Sequence, residues 1–105
     1  PGKRPMMGAI AERLADVAVL TSDNPRTEDP QAILNDVLAG MTHPAQVQVD
    51  RALAIRWAVS HARAGDIVLI AGKGHEDYQD IGGVKRPFSD FRVAEEALTV
   101  WEQPA

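Results

Sequence analysis

Three features of the sequence predict an α/β domain with a mostly parallel sheet and helices on both faces. Short apolar runs at 17–20 and 67–71 read as buried strands, each left through a polar turn. Segments between them carry apolar residues at helical spacing. The resulting order of helix, strand, helix, strand, helix, strand, hairpin and helix alternates, and such alternation builds parallel sheets through right-handed crossovers.

The first helix is expected over 5–15, with Pro5 in its first turn and Met7, Ile10, Ala11 and Leu14 on its buried face. Strand 17–20 gives way to Ser22-Asp23-Asn24-Pro25-Arg26, a turn with a proline inside it. Asp29 then caps a helix that has Pro30 at its first position and a stripe of Ile33, Leu34, Val37, Leu38 and Met41, with Gly40 near its end. Gln46-Val47-Gln48-Val49 alternates as a short strand does. Asp50 caps the next helix, expected over 51–64, whose stripe is Ala54, Ile55, Ala58, Val59 and Ala62 and whose stop is Gly65. His61 lies off that stripe and reads as an exposed helix histidine, as does His43 in its loop. After the strand at 67–71, Gly82-Gly83 marks a hairpin that Pro87 limits. Ser89 or Asp90 caps a last helix bearing Val93, Ala94, Ala97, Leu98 and Trp101 on one face.

Composition narrows the function. The 105 residues suffice for one small domain with a single core, read here as residues 1–105. The chain opens in a loop with no strand ahead of its first helix, a pattern expected either of an unusual domain or of a domain cut on its N-terminal side. There is no cysteine, so disulfides, thiolate chemistry and a cysteine-ligated zinc are excluded. A formal charge of −4 with scattered basic residues argues against a nucleic-acid partner; Lys3-Arg4 and Lys85-Arg86 read as solvated surface. No apolar run approaches the roughly 20 residues of a membrane span, and no signal peptide opens the chain, so a cytoplasmic location with no membrane partner is expected.

The chemistry gathers where two strands end. Ligands of open α/β sheets collect beyond the carboxyl ends of the strands, and parallel strands would bring the loops after 17–20 and 67–71 to one rim. Gly72-Lys73-Gly74 lacks the spacing and the Ser or Thr of a phosphate-binding loop, so its glycines are read as allowing a sharp turn and close approach to a ligand. His75, Glu76 and Asp77 adjoin in a loop where neighbours point in different directions, a weak pattern for a metal or for paired acid/base carboxylates. Glu76 better suits an ammonium group. Arg26, presented by Pro25, suits a bidentate grip on a carboxylate. Taken singly, Arg26 and Asn24 read as ordinary turn residues; together with Glu76, about fifty positions away, they describe a slot for a zwitterion. No catalytic residue and no metal ligand is assigned.

These segments, Gly2-Lys3-Arg4-Pro5, Asp23-Asn24-Pro25-Arg26, Ala71-Gly72-Lys73-Gly74-His75-Glu76-Asp77-Tyr78-Gln79 and Phe88-Ser89-Asp90, resemble the Mur ligases over essentially the whole chain. The resemblance is to members that add meso-diaminopimelate to UDP-N-acetylmuramoyl-L-alanyl-D-glutamate in peptidoglycan synthesis. It implies a C-terminal, Rossmann-like three-layer domain that binds the incoming amino acid, with ATP and magnesium held mainly by other domains and no ligation by this part alone. It also implies substrate contacts from Asp23, Asn24, Pro25 and Arg26, with Asn24 and Arg26 on the distal carboxylate and the Gly72 carbonyl and Glu76 on the distal ammonium. Lysine-adding relatives lack the arginine of the tetrapeptide. Phe91, followed by Arg92, stands where relatives often have arginine, and an upstream Asp-Arg-Asp stretch is absent. The competing expectation is a stand-alone α/β binding module for a small zwitterion.

Overall fold

A computed structural model describes residues 3–43, 45–73 and 76–104. In chain order it contains α1 (Lys3–Leu14), β1 (Val19–Leu20), α2 (Pro30–Leu38), β2 (Gln46–Val47), α3 (Arg51–His61), β3 (Tyr78–Ile81), β4 (Val84–Pro87) and α4 (Asp90–Thr99). The chain is therefore mixed α/β. Side-chain caps set three helix starts, each satisfying an N–H that the first turn leaves unpaired. Asp29 accepts from Gln31 at 3.0 Å, Asp50 from Leu53 at 3.0 Å and Ser89 from Arg92 at 3.2 Å. Ser89, not Asp90, is thus the last cap, which leaves the Asp90 carboxylate for another partner. Among the described residues no helix is long and apolar enough to cross a membrane.

The sheet is smaller than the pattern predicts. β1 and β2 pair in parallel, Val19 with Gln46 and Leu20 with Val47. β3 and β4 form a separate antiparallel hairpin whose turn glycines, Gly82 and Gly83, have φ of 63° and 83°, as a tight primed turn requires. The expected strand at 67–71 is not formed: Ile67 is 92% and Leu69 86% exposed. An apolar run supplies the hydrophobicity of a strand but not its ladder, and no described segment pairs with it. Only Ile70 turns inward, against the core of Ile55, Val59 and Ala97 that joins α3 to α4 with Phe88, Val93, Ala94 and Trp101. Leu98 of the expected stripe is exposed. α3 ends at His61, earlier than the expected 64, and Ala62 caps it in an extended conformation, so Gly65 serves the following turn. His61 is exposed and stacks on Trp57 at 4.1 Å.

Helix α1 also departs from its apolar stripe. Met7, Ile10 and Leu14 are exposed, Leu14 at 76%, and Gly8 is the buried residue of the helix. α1 meets α2 by backbone approach: a Cβ on Gly8 would lie 2.1 Å from the Val37 carbonyl oxygen, and one on Gly40 only 1.8 Å from that of Pro5. Gly40 is therefore a close-packing residue and not a helix stop. Gly40→Ala is expected to destabilise the domain by about 1–3 kcal/mol, the range for overpacking a tight contact, read as a lowered thermal midpoint. An unchanged midpoint would show that α1 does not dock this way.

A carboxylate fastens the other end of α1. Glu12 accepts the N–H groups of Thr42, at 3.0 Å, and His43, at 2.7 Å, together with the Thr42 hydroxyl. The Thr42 N–H first, then that of His43, pulls its carboxyl from 4.5 down to about 2. A depressed folded pKa means the unfolded chain takes up its proton first. The stabilisation is therefore present above about pH 4.5 and is lost as pH falls toward 2. The stability difference between the native chain and Glu12→Gln should shrink across that window; a pH-independent difference would contradict the contact.

Candidate functional site

The site begins where β1 ends. The Ser22 hydroxyl donates to the Val49 carbonyl at 2.7 Å and that of Thr21 at 3.4 Å, fixing the exit of β1 beside that of β2. Asn24 then bridges outward in two directions. Its Nδ2 donates to Glu76 Oε1 at 3.0 Å, and its Oδ1 accepts the Asp80 N–H at 2.7 Å. Two loops read from the sequence as sharing a rim are thus in direct contact, each also tied to β3. Pro25 is buried beneath this turn.

Arg26 sits in the left-handed region with φ of 55°, unusual for a residue with a side chain. Its backbone accounts for this. The N–H donates to the Asp80 carbonyl at 2.8 Å and the carbonyl accepts from Gly82, so Arg26 adds a parallel bridge to Ile81 at the hairpin. Its exposed guanidinium makes no hydrogen bond or ion pair with a described residue. Glu76 has one oxygen on Asn24; the other has only a long contact, 3.4 Å, from the Tyr78 hydroxyl. An acceptor for a cation and an unpaired cation therefore stand on adjoining loops.

Asp23 and Gly72 have a different relation to the site. Gly72 has φ of 116°, a conformation strained for any residue with a Cβ, and its Cα faces the Asp23 carboxylate. Asp23 itself points to Lys73, whose Nζ lies 3.0 Å from Oδ1 but off the hydrogen-bonding direction, leaving that oxygen paired by charge alone. Lys73 is only 3% exposed; its ammonium also donates to the Tyr78 carbonyl and lies 5.8 and 5.9 Å from the ring centres of Tyr78 and Phe88. The lysine is a strut inside the loop. Gly74 and His75 lie outside the described residues, and among the described residues no group of three or more His, Cys, Asp or Glu could hold a metal ion.

Sequence reasoning missed the polar layer under these loops. The buried polar side chains among the described residues are Ser22, Arg51, Lys73 and Gln79, and all four bond to this region. Gln79 Nε2 donates to the Asp23 carbonyl at 2.8 Å. Arg51 joins the carbonyls of Ser22 and Ala71 to Asp90. The available signal was positional: Arg51 follows directly on the Asp50 helix cap. Arg4, read as solvated, is instead half-buried. It donates to both Glu28 oxygens, at 2.8 and 2.9 Å, and to Asp36 at 3.1 Å, which ties α1 to the segment after Arg26. The hydrogen bonds that Arg4 donates hold the Glu28 carboxyl below its ordinary range, and the Glu28 and Asp36 carboxylates that accept them push Arg4 upward.

The chain is thus a small α/β unit that presents polar loops from the ends of its strands. The chain belongs to the Mur ligase family: the family description "Mur ligase, glutamate ligase domain" matches residues 1–74. It is 78% identical over 102 residues to the UDP-N-acetylmuramoyl-L-alanyl-D-glutamate--2,6-diaminopimelate ligase of Chromobacterium violaceum, covering 96% of this chain and 21% of that protein. The enzyme of the same name from Synechococcus sp. (strain WH7803) is 62% identical over 102 residues, 95% of this chain and 20% of that one. A solved structure of a ligase of this name superposes with a TM-score of 0.88 at 46% identity, over 93% of this chain and 21% of its own. The chain thus spans about a fifth of the length of the curated relatives it matches.

Proposed function

We propose that the chain is the amino-acid-binding domain of a cytoplasmic, ATP-dependent ligase that joins meso-diaminopimelate to UDP-N-acetylmuramoyl-L-alanyl-D-glutamate during cell-wall synthesis. The hydrogen bond from Asn24 to Glu76 carries the reading, since it joins the anion-binding and cation-binding loops at one place. In this proposal Asn24 and Arg26 take the distal carboxylate of the amino acid, and Glu76 with the Gly72 carbonyl takes its distal ammonium. Pro25 and Asp23 shape the loop: Pro25 stiffens the turn, and the Asp23 carboxylate, held by Lys73, fixes its entry. Pinning the far end of the substrate aims its other amine at an activated carboxyl, so the domain contributes orientation and no proton transfer.

ATP and magnesium would be held outside this chain, where they supply the activation of the carboxyl. The buried Lys73 ammonium is committed to Asp23 and Tyr78, so the Gly72-Lys73 loop does not fit a nucleotide phosphate. The bare run Ile67-Val68-Leu69 supports a Rossmann-like three-layer arrangement in the longer protein, with a strand laid beside it. The test is ligation by the full-length protein. Amide formation with meso-diaminopimelate, dependent on ATP and on the nucleotide-linked dipeptide, is expected; ATP-dependent ligation of lysine in preference to diaminopimelate would overturn the assignment.

A further inference from the structure

Arg51 is the most connected buried side chain of the described residues, and nothing in the slot touches it. It is 3% exposed at the first position of α3. Nε and Nη2 grip the two Asp90 oxygens at 2.7 Å each, Nη1 donates to the Ser22 carbonyl at 3.2 Å, and Nη2 also donates to the Ala71 carbonyl at 3.1 Å. Ser22 and Ala71 immediately precede Asp23 and Gly72, so one guanidinium holds the stems of both substrate loops against the start of α4.

We propose that Arg51, set by Asp90, is a positioning residue for amino-acid recognition: it fixes the spacing between the Asn24–Arg26 loop and the Gly72–Glu76 loop. The planar fork is what the task needs. It aims bonds in three directions at fixed angles, whereas a lysine ammonium keeps the charge beside Asp90 but cannot span both carbonyls. Because the Ala71 carbonyl adjoins Gly72, the bond from Nη2 acts directly on the entry to the second loop. This inference rests on the amino-acid-binding reading above.

The experiment compares Arg51→Lys, Asp90→Asn and Arg26→Ala in the full-length ligase, with KM measured separately for meso-diaminopimelate, ATP and the nucleotide-linked dipeptide. Arg51→Lys is expected to raise KM for diaminopimelate by about tenfold or more, since small misplacements of orienting groups are costly. Its KM for ATP and for the dipeptide should stay within about twofold. Asp90→Asn should move the same constant in the same direction. A merely structural arginine gives a different pattern: a smaller active fraction, lower kcat and unchanged KM for every substrate. That pattern, or the failure of both the Arg51 and Asp90 variants to fold, overturns the proposal. If Arg26→Ala raises KM for diaminopimelate and Arg51→Lys does not, the positioning role alone fails. If neither variant does so, the underlying assignment of the site fails with it.

Discussion

Arg26→Ala in the full-length ligase is expected to reduce kcat/KM for meso-diaminopimelate by about 10²- to 10³-fold and to leave the KM for ATP nearly unchanged. A bidentate, charge-assisted contact with a carboxylate contributes about 3–4 kcal/mol when its loss leaves the substrate charge unpaired, and about 1.4 kcal/mol corresponds to each factor of ten. The side chain is free for this use, because no described residue pairs with its guanidinium while its backbone is fixed on both sides by Asp80 and Gly82. The backbone also offers an internal control. Arg26 occupies φ of 55°, so Arg26→Gly should relieve about 0.5–1 kcal/mol of strain and raise the thermal midpoint while losing activity as Arg26→Ala does. A residue retained for the fold would behave oppositely, its glycine variant losing stability. Equal losses for ATP and diaminopimelate would count against the assignment.

Lys73→Met is expected to destabilise the domain by about 2–4 kcal/mol in chemical denaturation. The methionine fills similar space, so the loss comes from the Asp23 carboxylate, left in a half-buried position without its cation, and from the Tyr78 carbonyl, left without its donor. Partial exposure of Asp23 keeps the figure below that of a fully buried pair. A lysine that instead served a nucleotide phosphate would show a raised KM for ATP with little change in stability.

Individual turns and helix caps were more legible in the sequence than the sheet beneath them. Asp23-Asn24-Pro25-Arg26 and Gly72 to Glu76 announce themselves through turn chemistry and charge at the ends of apolar runs; their contact through Asn24 and Glu76 was expected from parallel strands at 17–20 and 67–71, yet 67–71 forms no ladder and β1 pairs with β2 instead. Caps at Asp29 and Asp50 were equally plain, because a carboxylate ahead of an apolar stripe has few other uses. The strand read at 67–71 does not form, since composition records hydrophobicity and is blind to whether a neighbour supplies the ladder. Exposed Met7, Ile10 and Leu14 show the same limit for α1, where periodicity marked an apolar face and the contact ran instead through Gly8. Arg51 and Arg4 were hidden for a further reason. A basic residue next to a cap or a proline has the signature of solvated surface, and only the fold shows which carbonyls and carboxylates converge on it.

A crystal structure of the full-length ligase with meso-diaminopimelate would reveal where the distal end of the amino acid is held. The distal carboxylate is expected within hydrogen-bonding distance of the Arg26 guanidinium and the Asn24 side chain, and the distal ammonium on Glu76. A bound amino acid whose distal end lies away from both loops, or is reversed between them, would contradict this placement.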